Sequence, residues 1–522
     1  MSYPSTLPDL QIPDVTVPQL ALRHAGDLGE RTALVDATTG DSLTFAQTAA
    51  YAERVAAWLA AEGVGKGDRV MIFAPNLIWY PVMFHGIALA GAISTTANAL
   101  YTGEEIAHQL ADSGARTIFT ISPFLDRIKE AVAQQPVDRI VVIDGAEGYA
   151  DLRTILGSEA PAPQVAVDPA TDLATLPYSS GTTGLPKGVM LSHRNLVSNV
   201  AQCEAIMDEF DENAVVLAVL PFFHIYGLTV LMNLALARGA RLVTMPRFDL
   251  EGFLGAIAEH KVTRLYVAPP ILVALAKHPI VDNYDLSSLR SITSGAAPLD
   301  EKLALAVEQR IGVPVRQGFG MTELSPVSHA VPDAKVAQTP AGSVGYAVPN
   351  VECRLVDPDS GNDVGPGEPG ELWVRGPNVM VGYLGNDKAT AETIVEDGWL
   401  RTGDIAEVTD EGVYTIVDRL KELIKYKGYQ VAPAELEALL LTNPDITDSA
   451  VIGVPDTEGG EIPKAFVVRR DGGSLTEDDV MAFVAEHVAP HKKVRQVQFV
   501  EAVPKSASGK ILRKDLRALE GR

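Results

Sequence analysis

The densest chemistry in this 522-residue chain lies at 178–193, where the sequence reads YSSGTTGLPKGVMLSH. Within eleven positions it sets Ser179, Ser180, Thr182 and Thr183 among Gly181, Gly184 and Gly188, with Lys187 beside the last of them. Glycines let backbone N–H groups approach an anion closely, the hydroxyls add donors and the lysine adds positive charge, so the segment suits phosphate. It is not a Walker A loop: Lys187 follows Gly184 by three residues and precedes Gly188, leaving no adjacent hydroxyl for magnesium. Read alone, the segment also fits a flexible polar turn between strands. A second polar cluster, QGFGMTE at 317–323, reads in isolation as a strand-ending turn with a helix cap. A third, PKSASGKI at 504–511, reads as exposed surface carrying Lys505 and Lys510.

Strands and helices have to position these loops. Residues 173–177 and 189–191 are apolar and predict strands on both sides of the first loop. Helical spacing at 44–62 is followed by a strand pattern at 69–73, a helix-like stretch from Leu77 and a strand at 116–120. The rhythm returns with strand patterns at 214–220, 241–245, 264–268, 289–293 and 314–316. Such alternation predicts parallel sheets covered by helices, with ligands at the carboxyl ends of the strands. From Ser343 to Val417 short strands separated by Gly, Pro and Asp predict a β-rich subdomain. After DRLK at 418–421 the texture changes to a helix at 433–441, strands near 450–454 and 465–469, and a helix at 476–488. This predicts an N-terminal domain over 1–420, its β-rich part at about 340–420, and a small α+β domain over 421–522.

Composition narrows the partners. Sixty-seven acidic against 43 basic residues give a net charge of −24, which argues against nucleic acid or an anionic membrane. An anionic substrate therefore needs a locally basic pocket. Basic residues do gather between His491 and Arg517, where a solvated cationic face is the plain reading. Two cysteines, Cys203 and Cys353, exclude a disulfide framework. The N-terminus lacks a signal-peptide pattern and no apolar run approaches the ~20 residues of a membrane span. The expectation is a soluble, cytoplasmic protein, as a monomer or a homodimer.

The 178–193 string resembles the AMP-binding signature of the adenylate-forming (ANL) superfamily: acyl-CoA ligases, peptide-synthetase adenylation domains and beetle luciferases. Four further segments resemble the same superfamily in the same order. They are SGAAP at 294–298, QGFGMTE, TGD at 402–404 with DRLKE at 418–422, and PKSASGKI. The DRLKELIKYKGYQVAPAELE string is similar in wording to plant 4-coumarate–CoA ligases and luciferases. The resemblance implies a large N-terminal domain of two parallel helix-covered sheets plus a β-barrel-like subdomain, followed by a mobile α+β domain.

It also implies roles. ATP and AMP would be held by Ser179, Ser180, Gly181, Thr182, Thr183, Gly184 and Lys187, by the adenine segment Gly295, Ala296 and Ala297, and by Gln317, Gly318, Phe319 and Gly320. Phe319 would face adenine, Thr322 the α-phosphate and Glu323 Mg²⁺, while Asp404 and Arg419 would meet the ribose. These tasks suit an aromatic plane, a hydroxyl, a hard oxygen and an ionised carboxylate. Lys510 would be the adenylation lysine. Lys425, Lys427 and Gly428 would serve the CoA step after rotation about a hinge at Lys421. His224 would sit beside the carboxylate, and the acyl pocket would be Ile225, Tyr226, Thr229, Tyr266, Thr293, Gly295, Gly318, Gly320, Pro326 and Val327.

The implied substrates are a carboxylic acid, ATP with Mg²⁺, and coenzyme A. Carboxylate and ATP give an acyl-adenylate and pyrophosphate; the CoA thiol then releases AMP, with no covalent acyl-enzyme. Small and aromatic pocket residues suit a flat apolar acid of the 4-coumarate or cinnamate type. A medium- or long-chain fatty acid is the alternative within the class, and a carrier protein as acceptor is the alternative outside it. Two positions depart from the plant pattern. Thr293 stands where plant ligases commonly carry lysine, which counts against 4-coumarate itself, and Trp373 replaces the cysteine of their GEICIRG box.

Overall fold

In the computed structural model the described residues are 2–157, 160–179, 186–426, 429–456, 460–470, 472–507 and 509–520. Ser180, Gly181, Thr182, Thr183 and Gly184 therefore lie outside them, as do Lys427 and Gly428.

Two large sheets carry the first part of the chain. One runs Gly382–Tyr383, Lys187–Ser192, Leu173–Thr175, Ile93–Thr96, Arg69–Phe73, Thr117–Thr120 and Arg139–Val142, with Tyr178–Ser179 paired to Lys187–Ser192. The other runs Tyr346–Ala347, Val327–Ala330, Val315–Gly320, Ser291–Ser294, Arg264–Val267, Val215–Ala218, Arg241–Thr244, Thr32–Asp36 and Ser42–Thr44. Their centres are parallel, as the strand and helix rhythm predicts, and antiparallel strands are added at the edges. The parallel strands are apolar on both faces because helices cover both.

Helix Phe45–Ala61 shows how the covering works. Thr44 caps it in a reciprocal box with Gln47, and Phe45, Thr48, Ala52, Val55, Ala56 and Leu59 bury one stripe. That stripe packs on helix Trp79–Leu89, which is buried almost throughout.

A five-stranded antiparallel sheet, Tyr3–Pro4, Glu352–Val356, Gly370–Arg375, Leu400–Val408 and Tyr414–Arg419, forms the β-rich part. The last sheet, Tyr429–Val431, Ile424–Tyr426, Gly460–Arg469 and Ile446–Asp456 with Gln496–Phe499 alongside, has its own apolar core. Helices Pro433–Leu441 and Glu477–His487 cover it. Among the described residues no helix is long and apolar enough to cross a membrane.

Three histidines are sealed in the first part of the molecule: His85, His193 and His329 are at most 1% exposed. Burial pushes their imidazoles down, to about 3 for His85 and His329 and about 4 for His193. They stay neutral when folded, whereas the unfolded chain protonates them near pH 6.5. Below that pH the unfolded state binds more protons, so stability is complete above about pH 6.5 and falls as pH falls towards 4. The slope is about 1.4 kcal/mol per pH unit for each histidine. Urea midpoints measured at pH 7.5 and 5.5 should show a clear loss at the lower pH. His85→Leu should reduce that loss; an unchanged difference in the variant would contradict the assignment.

Candidate active site

One cavity of about 630 Å³ opens where the two large sheets, the β-rich sheet and the C-terminal loop meet. Its first wall comes from strand Lys187–Ser192, which includes the strand expected at 189–191, and from the short strand Tyr178–Ser179, which begins beyond the one expected at 173–177. Tyr178–Ser179 and Lys187–Ser192 pair antiparallel, Ser179 opposite Lys187. Ser179 Oγ donates to Glu323 Oε1 at 3.1 Å, and Tyr383 Oη donates to the same oxygen at 2.8 Å. Lys187 Nζ stands 4.8 Å from the centre of the Tyr383 ring. Glu323 itself is 6% exposed and sits, with Thr322, on a 3₁₀ turn that follows strand Val315–Gly320.

The second wall is the β-rich sheet. Asp404 and Arg419 face each other in antiparallel register and form an ion pair at 3.3 Å. Burial raises the Asp404 carboxyl, while Arg419 and Lys510 pull it back down. Thr402 Oγ1 donates to Leu372 O and accepts from Asp404 N, which fixes the turn around Gly403.

Lys510 arrives from the far end of the sequence. The two sides of this segment pair as a hairpin does: Lys505 bridges Ile511, Ser506 N donates to Lys510 O, and Ser506 Oγ accepts from Lys510 N. Gly509 has φ of +82°, a conformation glycine adopts without steric cost, and a Cβ there would come within 3.1 Å of Ala268 Cβ. The hairpin can thus seat against the sheet and carry Lys510 into the cavity. Burial lowers the Lys510 ammonium to about 8, Arg419 adds to the effect, and Asp404 and Glu323 oppose it. The result is a polar wall that carries Lys187, Arg401, Arg419, Lys421 and Lys510 with the carboxylates of Glu323, Glu371 and Glu392, while Asp404, expected in the site but not part of the lining, is paired to Arg419. That arrangement suits a polyanion.

The other end is apolar. Ile225, Tyr226, Tyr266, Thr293, Gly295, Gly318, Gly320, Pro326 and Val327 line it, together with Cys203, Met207, Val230 and Ala330. Gly295 is where the Tyr226 ring comes closest: a Cβ would lie 2.7 Å from Cε1. His224 stands between the two ends. Its Nδ1 accepts from Tyr226 N at 3.3 Å, leaving the ring proton on Nε2. Burial first, and Lys510 second, push its pKa down to about 4.

A model of the AMP-binding enzyme family matches residues 22–384, and one of the AMP-binding enzyme C-terminal domain matches 435–510. The chain belongs to the AMP-binding enzyme family. It is 44% identical to 4-coumarate–CoA ligase 5 of Oryza sativa subsp. japonica, covering 99% of this chain and 97% of that one. It is 43% identical to 4-coumarate–CoA ligase 1 of Solanum tuberosum, covering 99% and 96%. Among solved structures it resembles the anthranilate CoA ligase AuaEII in complex with anthranoyl-AMP, with TM-score 0.90 and 28% identity over 98% of both chains. It also resembles ATP-bound MatB from Rhodopseudomonas palustris, with TM-score 0.87 and 29% identity over 97% and 99%.

Not every residue expected from the AMP-binding motifs reaches the cavity wall. Phe319, Ala296 and Lys421 do. Gln317 instead uses its side-chain amide on Leu299 N, Leu299 O and Ala341 O, clamping the strand that carries Phe319. Thr229 is fully buried in a π-helical segment, Gly227–Asn233, outside the lining, and Ala297 is likewise not part of it. Lys425 is exposed on strand Ile424–Tyr426, away from the cavity, while Lys510 is in it. Tyr383, Glu371 and Arg401 also line the cavity, outside the motifs. Tyr383 meets Glu323 across 60 positions and Arg401 meets Glu371 across 30, so no local pattern announces these pairs.

Proposed function

We infer that this AMP-forming acid–CoA ligase of the 4-coumarate type activates an arylalkenoic acid, using the residues gathered at the polar end of the cavity. Ser179 and Lys187 serve the phosphates of ATP, Phe319 the adenine, Thr322 the α-phosphate, and Asp404 with Arg419 the ribose. The observation that carries the reading is Lys510. Brought over three hundred positions from Lys187, it shares one cavity with Glu323 and His224 at the border between the polar and apolar ends.

In the first step a carboxylate oxygen bonds to the α-phosphorus, the bond to the bridging oxygen breaks, and pyrophosphate leaves with that electron pair. Negative charge grows on the phosphoryl oxygens, where a protonated Lys510 is worth most. Glu323 is a hard oxygen donor, and a single carboxylate with substrate phosphates and water is how Mg²⁺ is usually held, so the site fits that ion. Bound there, magnesium would neutralise phosphate charge. His224, neutral with its proton on Nε2, can donate to the substrate carboxylate without adding charge.

In the second step the CoA thiol attacks the acyl carbon and AMP departs. We assign Lys425, with Lys427 and Gly428, to that step, after residues 421–522 turn about Lys421 relative to 1–420. Lys510 lines the cavity and Lys425 does not, and two lysines competing for one opening is the physical reason for a rotation.

The apolar end supports an aromatic acid. The Tyr226 ring lies against Gly295, with Tyr266 and Thr293 in the same lining, and we read this end as a flat slot. A panel of cinnamates, benzoates and fatty acids, with AMP release measured with CoA and with a carrier protein, tests the reading. Tyr226→Ala should lower kcat/KM for a cinnamate by about tenfold or more and for octanoate by much less. An equal effect on both acids would contradict the slot.

A further inference from the structure

Trp373, the departure from the plant wording with no local explanation, acquires one in three dimensions. It lies on strand Gly370–Arg375, directly opposite Arg401 of strand Leu400–Val408. Its indole N–H donates to Glu371 Oε2 at 2.9 Å. Arg401 gives that same oxygen two bonds, from Nε at 3.2 Å and Nη2 at 2.9 Å. Glu371 is 3% exposed, so its charge is removed from water and held by these charge-assisted bonds. The guanidinium carbon of Arg401 stands 5.5 Å from the Trp373 ring. The arginine is thereby fixed from one edge only. Among the described residues its Nη1 makes no hydrogen bond, and the side chain, 41% exposed, lines the cavity.

The surroundings indicate what that open edge can meet. Helix Asp387–Thr393 touches both Gly382–Tyr383 and Leu400–Val408, which brings Tyr383, Thr393 and Arg401 into one stretch of the wall. Tyr383 carries Lys187 over its ring at one end of that stretch. The nearby acid, Glu392, is 68% exposed and faces Lys388 of its own helix at 3.9 Å. A cation with a free, planar pair of donors on the wall that starts at Lys187 matches a phosphate oxyanion.

We propose that Arg401 is a second cationic contact for the pyrophosphate that leaves ATP, and that Trp373 and Glu371 are positioning residues that aim it. The assignment rests on the reading of the cavity as an adenylation site. When the bond between the α-phosphorus and the bridging oxygen breaks, the oxygen's electron pair stays on the departing pyrophosphate. That group gains charge, and Arg401 receives it. The tryptophan is suited to the post because its ring packs between Arg354 and Arg401 while its one N–H reaches the carboxylate.

The test is calorimetric titration of the full-length enzyme with magnesium pyrophosphate, alongside a titration with AMP. Arg401→Gln should weaken pyrophosphate binding about tenfold and leave AMP binding within about twofold. Trp373→Phe, which keeps the ring and removes the N–H, should weaken pyrophosphate about threefold. Arg401→Lys, which keeps the charge and loses the fork, should fall between wild type and Arg401→Gln. Unchanged pyrophosphate affinity in Arg401→Gln, or an equal loss of AMP binding, would overturn the proposal. These titrations need no turnover. A wild-type enzyme that releases no pyrophosphate with any acid of the panel would refute the adenylation reading separately.

Discussion

Replacing Lys510 by alanine should slow acid-dependent pyrophosphate release by about two to three orders of magnitude, the usual consequence of losing a preorganised group that meets developing charge. Thioester formation from supplied acyl-adenylate should stay close to wild type, because the proposal gives that step to Lys425. Lys510 lines the cavity beside Glu323, Arg419 and His224, and its backbone is held by Ser506. Its ammonium, lowered to about 8, is charged below that pH and loses its proton above it. The kcat/KM for adenylation should therefore fall as pH rises through about 8, and Lys510→Arg should move that fall to higher pH. Equal loss of both half-reactions in Lys510→Ala would remove the lysine from the adenylation role.

The second large effect concerns Lys421. It lies in a turn in which Glu422 N donates to Arg419 O and Leu420 N donates to Gly403 O. The backbone N–H of Lys421 makes no hydrogen bond among the described residues, so a proline there removes no bond from the present arrangement. It does fix φ and restrict Leu420, which opposes any swing about this point. Lys421→Pro should keep pyrophosphate release within a few-fold of wild type and reduce thioester formation from acyl-adenylate by about a hundredfold or more. Single-turnover measurements of the two steps separate these outcomes, and normal thioester formation in the variant would argue against a turning domain.

Much of the scaffold was legible because glycine, proline and polar caps punctuate it. Strand Arg69–Phe73 and helix Pro433–Leu441 fall where their apolar patterns predict. Strand Ile446–Asp456 runs beyond the apolar 450–454 because its ends alternate and pair with Gly460–Arg469 through the ladder, which residue type alone does not record. The edge strand Tyr3–Pro4 is held by Glu352 and Cys353, more than three hundred positions on, and has no local signal. The site divides in the same way. Glycine-rich loops and single lysines were readable as motifs. The Tyr383 bond to Glu323, the clamp made by Gln317 and the Trp373–Glu371–Arg401 relay exist only because distant strands lie side by side.

The central claim is that one cavity forms an acyl-adenylate before CoA takes part, and a rapid-quench experiment tests it most directly. Enzyme mixed with MgATP and a cinnamate, in the absence of CoA, should yield pyrophosphate and enzyme-bound acyl-adenylate in about a one-to-one burst, with AMP and thioester appearing only when CoA is added. No pyrophosphate burst without CoA, or ADP and phosphate in place of AMP and pyrophosphate, would contradict it.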